Sequence, residues 1–152
     1  MTEKRLILII NLYGGIIMEE FQIWSIWSSN RIGSGLVGIG SILGVWLSMR
    51  IAVASRNSDE SNLFSKIVSS AFGLVTLSFC WINFTTIANT WIAAARNLTD
   101  LKASGTEISS TADGYISYVG TTDAVTMPIP LGIAFIVVSG IIILGQIWMP
   151  KK

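Results

Sequence analysis

Apolar residues run almost without interruption through three stretches of this chain, residues 32–54, 63–95 and 129–149. About 20 mostly apolar residues carry a helix across the hydrocarbon of a bilayer. The pattern therefore predicts an all-α integral membrane protein with three transmembrane helices forming a single membrane domain over 1–152. Residues 18–31 read as an N-terminal interfacial amphipathic helix, because Phe21, Ile23, Trp24, Ile26 and Trp27 cover a broad arc while Gln22, Ser25 and Ser28 fill the remainder. Residues 96–127 read as a polar outer loop. The polar turn at 56–61 is short enough to make the first two spans antiparallel neighbours. Ser58, followed by Asp59 and Glu60, is the expected N-cap of the second.

Within the spans, the positions of small and polar residues carry more information than the apolar ones. Stepping by three and four along the second span gives Ser69, Gly73, Thr76, Cys80, Asn83, Ile87, Thr90 and Ala94, with Thr86 beside Asn83 and Thr90. These lie on one stripe of a helix. Lipid tails are as apolar as leucine, so membrane helices associate where small side chains let backbones approach and where hydroxyls and amides bond across. The stripe is thus a candidate helix-packing interface. Asn89 lies away from it and implies a second contact or a wet end. The first span offers Gly33, Gly40 and Gly44 on one face, with a GxxxG step from Gly40 to Gly44, and Ser34, Gly38, Ser41 and Ser48 on an adjoining face. In the last span Gly132, Ser139 and Gln146 recur every seventh residue. Trp24, Trp27, Trp91 and Trp148 are the expected anchors at the membrane interface.

The last span is the least ambiguous of the three. Its leucine, isoleucine, valine and phenylalanine side chains favour insertion by about 5 kcal/mol. Pro128 and Pro130 open it, where early N–H groups have no partner to lose, and Pro150 closes it before Lys151 and Lys152. In the outer loop, residues 107–111 and 115–119 flank Asp113-Gly114, the turn chemistry of a small β-hairpin, with irregular loop as the alternative. Asn97-Leu98-Thr99 spells a glycosylation acceptor, which matters only in a eukaryotic source. Residues 1–17 begin like a signal peptide but lack a small-residue cleavage site, and the run is too short to span. Gly14-Gly15 can be encoded by a ribosome-binding sequence two codons before Met18. Met18 is therefore the expected first residue, with residues 1–17 as translated upstream sequence.

Composition supports the membrane reading and narrows the chemistry. Apolar residues make up 51% and charged residues 12% of the 152 positions, an unusual balance for a water-soluble domain. A net charge of +1 is uninformative for nucleic acid or anionic lipid, there is no basic run, and no nucleic-acid partner is expected. Histidine is absent and Cys80 is the one cysteine, so no intrachain disulfide exists and neither a metal site nor a cofactor site is expected from this chain. Gly33-Ser34-Gly35-Leu36-Val37-Gly38 matches the GxGxxG spelling of dinucleotide-binding loops, but no strand precedes it and no βαβ unit surrounds it. Glu19, Glu20, Asp59, Glu60, Asp100, Glu107, Asp113 and Asp123 all lie outside the spans or at their ends, and no histidine or second cysteine accompanies them, so no catalytic residues are assigned.

Charge also orients the chain. Arg50, Arg56, Lys66, Lys151 and Lys152 fall on one side, and Arg31, Arg96 and Lys102, with several acids, on the other. Basic residues favour the cytoplasmic side, which places the N-terminus outside and the C-terminus inside the cell (inner) membrane. The expected function is that of a small non-catalytic accessory subunit, packing against other integral membrane subunits in a hetero-oligomer, with lipids around it. The alternative is a self-assembling homo-oligomeric pore or permease component. In topology alone, three spans with an outside N-terminus resemble one class of phage holins, although the long outer loop and the absence of a basic tail depart from that class.

Overall fold

The computed structural model describes residues 19–59 and 61–150. They form four helices, α1 Glu20–Asn57, α2 Leu63–Ala103, α3 Ser110–Val119 and α4 Pro130–Trp148, with no strand among the described residues. Three of them, α1, α2 and α4, are long and apolar enough to cross a membrane. The expectations for residues 1–17, for the Met18 start, for Glu60 and for Lys151 and Lys152 lie outside the described residues.

Three boundaries differ from those read in the sequence. Residues 20–31 are not a separate helix; they are the first turns of α1, which continues to Asn57. At about 1.5 Å per residue, its 38 residues extend far beyond what a hydrocarbon crossing of about 30 Å needs. The second helix likewise does not stop at residue 95. Ala94, Leu98 and Leu101 prolong its helical spacing and are all buried, carrying α2 through the Asn97-Leu98-Thr99 sequon to Ala103. The irregular connection is correspondingly shorter than 96–127. The N-cap of α2 is Asn62 rather than Ser58. The Asn62 Oδ1 accepts from the Ser65 amide at 2.9 Å while the Asn62 amide donates to the Ser65 hydroxyl at 3.1 Å, a reciprocal cap.

The β-hairpin does not form; its residues make α3. Asp113-Gly114 lies inside this helix, and the chain is framed instead by two strong end signals. Ser109, with extended backbone, accepts from the Ala112 amide at its start, and Gly120 closes it at φ 70°, where glycine carries no steric penalty, donating its N–H to Ile116 O. Ile108, Ala112, Tyr115, Ile116 and Val119 recur with helical spacing, and that periodicity outweighs the local turn propensity of Asp-Gly.

The chain divides into two compact units. An aromatic unit, residues 19–28 with Trp91–Asp123, packs Ile23, Ala94, Leu98, Leu101 and Ala112 with Trp24, Trp27, Ile108, Tyr115 and Ile116. A small-residue unit, Ser29–Thr90 with residues 124–150, packs Val45, Ala52, Leu77, Cys80, Ile143 and Ile147, with Met49, Phe84 and Ile136 against them. Its contacts from Ser41 to Asn83 and from Ser48 to Thr76 run in opposite numerical directions, so α1 and α2 are antiparallel here. Its polarity is inverted relative to a water-soluble protein. Ser41, Ser48, Ser69 and Ser139 are buried, whereas Leu36, Ile39, Ile42, Val75, Ile82 and Ile141 are among the exposed large apolar residues. Such a surface suits lipid or another apolar partner rather than water.

Candidate helix-packing interface

In the small-residue unit, α1 meets α2 through Ser41, Gly44 and Ser48. The Ser48 hydroxyl, which also reaches Gly44 O, lies 3.2 Å from Thr76 Oγ1, and the Thr76 hydroxyl in turn reaches Phe72 O. A Cβ added to Gly44 would come within 3.1 Å of Thr76 Cγ2. One to two turns further, Asn83 Nδ2 donates to Ser41 Oγ at 3.3 Å and the Cys80 thiol, fully buried, reaches Ser41 O at 3.9 Å. An amide that would be costly in hydrocarbon thus has a partner within the chain.

The same face of α2 also receives α4. Gly73 lets Ile143 approach so closely that a Cβ there would lie 2.7 Å from Ile143 Cγ2. Gly140 faces Leu77 Cδ1, and Gly132 faces Phe84 Cδ2 and Pro128 Cβ, each at 3.2 Å from an added Cβ. Ser69 and Ser139 are buried in this unit. At the turn end of the helices, Gln146 Oε1 accepts from Arg56 at 2.9 Å, and Arg56 also donates to Pro150 O at 3.3 Å. Trp148 donates from Nε1 to Ser70 Oγ at 2.9 Å, and the Lys66 ammonium sits 5.8 Å from the Trp148 ring centroid.

Ser69, Gly73, Thr76, Cys80, Asn83, Gly44, Gly132, Ser139 and Gln146 are therefore brought into the packing of this unit. Other members of the sequence-derived set are not. Gly33 and Gly40 have no atom within 4 Å of an added Cβ, and neither do Gly35 and Gly38. Thr86 is exposed, and the Thr90 hydroxyl bonds locally to Ile87 O at 2.7 Å. Sequence reasoning missed the Ser41 and Ser48 bonds on α1, the closeness of Gly140, and Ile143 and Ile147 as the buried residues of α4. The signal for the first was present: Ser41, Gly44, Ser48 and Ala52 repeat at three to four residues. Asn89, away from the stripe, clamps the connection before α4, donating to Val125 O at 3.0 Å and accepting from the Val125 amide at 2.8 Å.

In the aromatic unit, Trp24, Trp27 and Trp91 gather around Tyr115. Trp24 and Trp27 meet it edge-on at centroid distances of 5.2 and 5.8 Å, while Trp91 stacks on it at 5.9 Å with an interplanar angle of 7°. Glu20 ties the start of α1 to α3: one carboxylate oxygen accepts from the Ser109 amide at 2.8 Å, the other from the Ser109 hydroxyl at 2.6 Å and from Trp24 Nε1 at 2.9 Å. These bonds, from the Ser109 hydroxyl first, then the Ser109 amide and the Trp24 indole, hold the Glu20 pKa below the ordinary value of 4.5. The carboxylate also faces the positive end of the α3 dipole. Lys102 and Asp113 add an exposed ion pair at 2.7 Å, worth little by itself.

Among the described residues, no three His, Cys, Asp or Glu side chains are grouped so as to hold a metal ion. The geometry of the described residues supports close contact between helices. Comparison with models of protein families, with curated proteins and with solved structures finds no match.

Proposed function

We propose that the chain is a small, non-catalytic accessory subunit of a multi-subunit membrane complex, spanning the cell (inner) membrane with α1, α2 and α4 and docking other integral subunits against α1. The observation that carries this reading is the division of the glycines. Gly44, Gly73, Gly132 and Gly140 each meet a neighbouring side chain of the same chain, whereas Gly33, Gly35, Gly38 and Gly40 meet nothing within 4 Å. A glycine inside a helix costs about 1 kcal/mol relative to alanine, so the four bare glycines weaken α1 without serving any contact among the described residues. A helix of another subunit, approaching backbone to backbone, gives them a purpose.

The orientation follows from Arg50, Arg56 and Lys66, which favour a cytoplasmic turn and C-terminus, with the N-terminus outside. Replacing Gly33 and Gly40 with leucine tests the assembly directly. The native mass of the complex extracted in mild detergent should fall to that of the lone chain, while helical content is kept. A wild-type mass equal to a single chain would overturn the proposal, and a ring of identical chains would favour the self-assembling pore in its place.

A further inference from the structure

Asn83 is only half satisfied. A side-chain amide offers two N–H donors and a carbonyl oxygen, and here a single bond is made, from Nδ2 to Ser41 Oγ at 3.3 Å. Among the described residues, Oδ1 and the second N–H have no hydrogen-bond partner. Oδ1 is not enclosed, so it opens onto the surface of the small-residue unit. Turning the amide round would put nitrogen in place of oxygen and leave the group equally short. Asn89, by contrast, uses both ends of its amide on Val125.

Depth makes the shortfall costly. Ser41, the partner of Asn83, lies about 14 Å beyond Ile32, where the apolar run of α1 begins. That is about midway through a hydrocarbon core of about 30 Å, where water is absent and a polar group needs a protein partner. The backbone N–H groups around Asn83 are engaged in the helix, so α2 has no donor of its own to turn towards Oδ1. Thr86, one turn on, is exposed, and its hydroxyl makes no bond among the described residues. Thr76, Ser78, Thr85 and Thr90 instead return theirs to carbonyls of α2.

Both polar groups border one groove. α1 meets α2 at Gly44–Thr76 and Ser41–Asn83, while α4 takes another flank of α2 through Gly73, Leu77 and Phe84. At about 100° per residue, Gly33 and Gly40 share the side of Gly44, and Thr86 falls beyond Asn83 on the side of α2 turned away from α4. Gly33 and Gly40 leave that side open, with nothing within 4 Å of an added Cβ.

We propose that this groove receives a transmembrane helix of another subunit that carries an amide or hydroxyl side chain at the depth of Asn83. That side chain donates to Asn83 Oδ1, with the Thr86 hydroxyl beside it. The recess of the amide decides between occupants. Asn83 is tied back to Ser41 between two helices, and a single helix lying in the groove reaches it. A second copy would present its own recessed Asn83, which two facing grooves hold apart. Other outward residues near that level, Ile39, Ile42, Ile82 and Leu131 among them, are apolar and donate nothing. The inference rests on the accessory-subunit reading and adds to it the chemistry of the partner helix.

The probe is a synthetic helix of about 20 leucines flanked by lysines, with or without one central asparagine. Energy transfer from the labelled full chain to the labelled peptide is read in phosphatidylcholine vesicles. Wild type should hold the asparagine peptide about threefold more tightly than the all-leucine one, the effect of one average hydrogen bond between membrane helices. Asn83→Leu should abolish the preference, and Ser78→Leu should keep it. Gly40→Leu, at a position with open space around it, should also abolish it by filling the groove, which covers the case of an Asn83→Leu chain that fails to fold. Equal affinity of wild type for both peptides overturns the proposal, as does a preference that survives in either folded groove variant. Transfer between wild-type chains that Asn83→Leu weakens also overturns it, because the occupant is then a second copy. Failure of the underlying reading looks different: a lone chain in the native mass defeats the accessory role, whereas an intact complex without peptide preference defeats only the partner chemistry.

Discussion

The two units of this chain are built from different materials. In the aromatic unit the interior is filled by leucine, isoleucine, three tryptophans and a tyrosine, and its polar contact of note is a carboxylate sealing the start of a helix. In the small-residue unit, serines are buried beside a few aliphatic residues, glycines are pressed against branched side chains, and many large apolar residues face outward. Burying apolar surface stabilises a unit only where the alternative is water. Where the alternative is lipid, that gain disappears, and packing distance and hydroxyl contacts carry the association. The composition of each unit suits a different one of these rules, and substitutions should fail differently in the two.

The largest expected effect lies in the aromatic unit. Leu98 is fully buried there, so Leu98→Ala should destabilise this unit by about 2–5 kcal/mol through lost transfer energy and the cavity left behind. Near-ultraviolet circular dichroism during thermal unfolding in detergent would register it, and an unchanged transition would remove the distinction between the units. Next comes Gly73→Ala in the small-residue unit. Its new Cβ would stand 2.7 Å from Ile143 Cγ2, and a β-branched side chain held in a packed core has little room to yield. Overpacking should cost about 1–3 kcal/mol. Gly35→Ala, with open space around it, should instead stabilise the isolated chain by about 1 kcal/mol through helix propensity. The opposite signs at two glycines in long helices are the sharpest form of the contrast.

How much of this was legible in the sequence follows from the same division. The three long helices were plain because runs of apolar residues have few alternatives, and the Ser69, Gly73, Thr76, Cys80 and Asn83 stripe could be drawn because small residues stand out against leucine and isoleucine. The partners across the seam could not be drawn, since spacing along one helix does not fix the register of another. Only the structure pairs Ser41 with Asn83 and separates Gly44, which is used, from Gly40, which is bare. In the aromatic unit the misreading had another cause. Asp113-Gly114 was given the weight of a turn, although Ser109 and Gly120 bracket it as helix ends and Ile108, Ala112, Tyr115 and Ile116 follow helical spacing. A local dipeptide signal lost to a periodicity that continues on both sides of it.

A smaller effect should follow from pH, and it should touch only the aromatic unit. Because hydrogen bonds hold the folded Glu20 pKa below 4.5, the folded state binds its proton less readily than the unfolded chain does. That contribution is present in full above the ordinary glutamate value and is lost as pH falls through the lowered folded one. Acidification below about pH 4.5 should therefore lower the hydrogen-exchange protection factors, measured against the intrinsic rate at each pH, at the first turn of α3 in wild type. In Glu20→Gln the exchange should already be faster at neutral pH and should respond less to acid. Equal acid sensitivity in both proteins would mean that another carboxylate controls α3.

The smallest effect concerns a single hydroxyl pair in the small-residue unit. Ser48 Oγ lies 3.2 Å from Thr76 Oγ1, but each hydroxyl also bonds to a carbonyl one turn back in its own helix. Neither group is therefore left without a partner when the other is removed, and their coupling should be modest, near the average of about 0.6 kcal/mol found for such bonds between membrane helices. A double-mutant cycle with Ser48→Ala and Thr76→Val isolates that coupling from the loss of the local bonds. Ser78 supplies the control: it is exposed and its hydroxyl bonds only to Leu74 O, so Ser78→Ala should show no coupling to Thr76→Val. A zero coupling for Ser48 as well would mean that α1 and α2 are held by the closeness that Gly44 permits, with the hydroxyls merely accommodated at the seam.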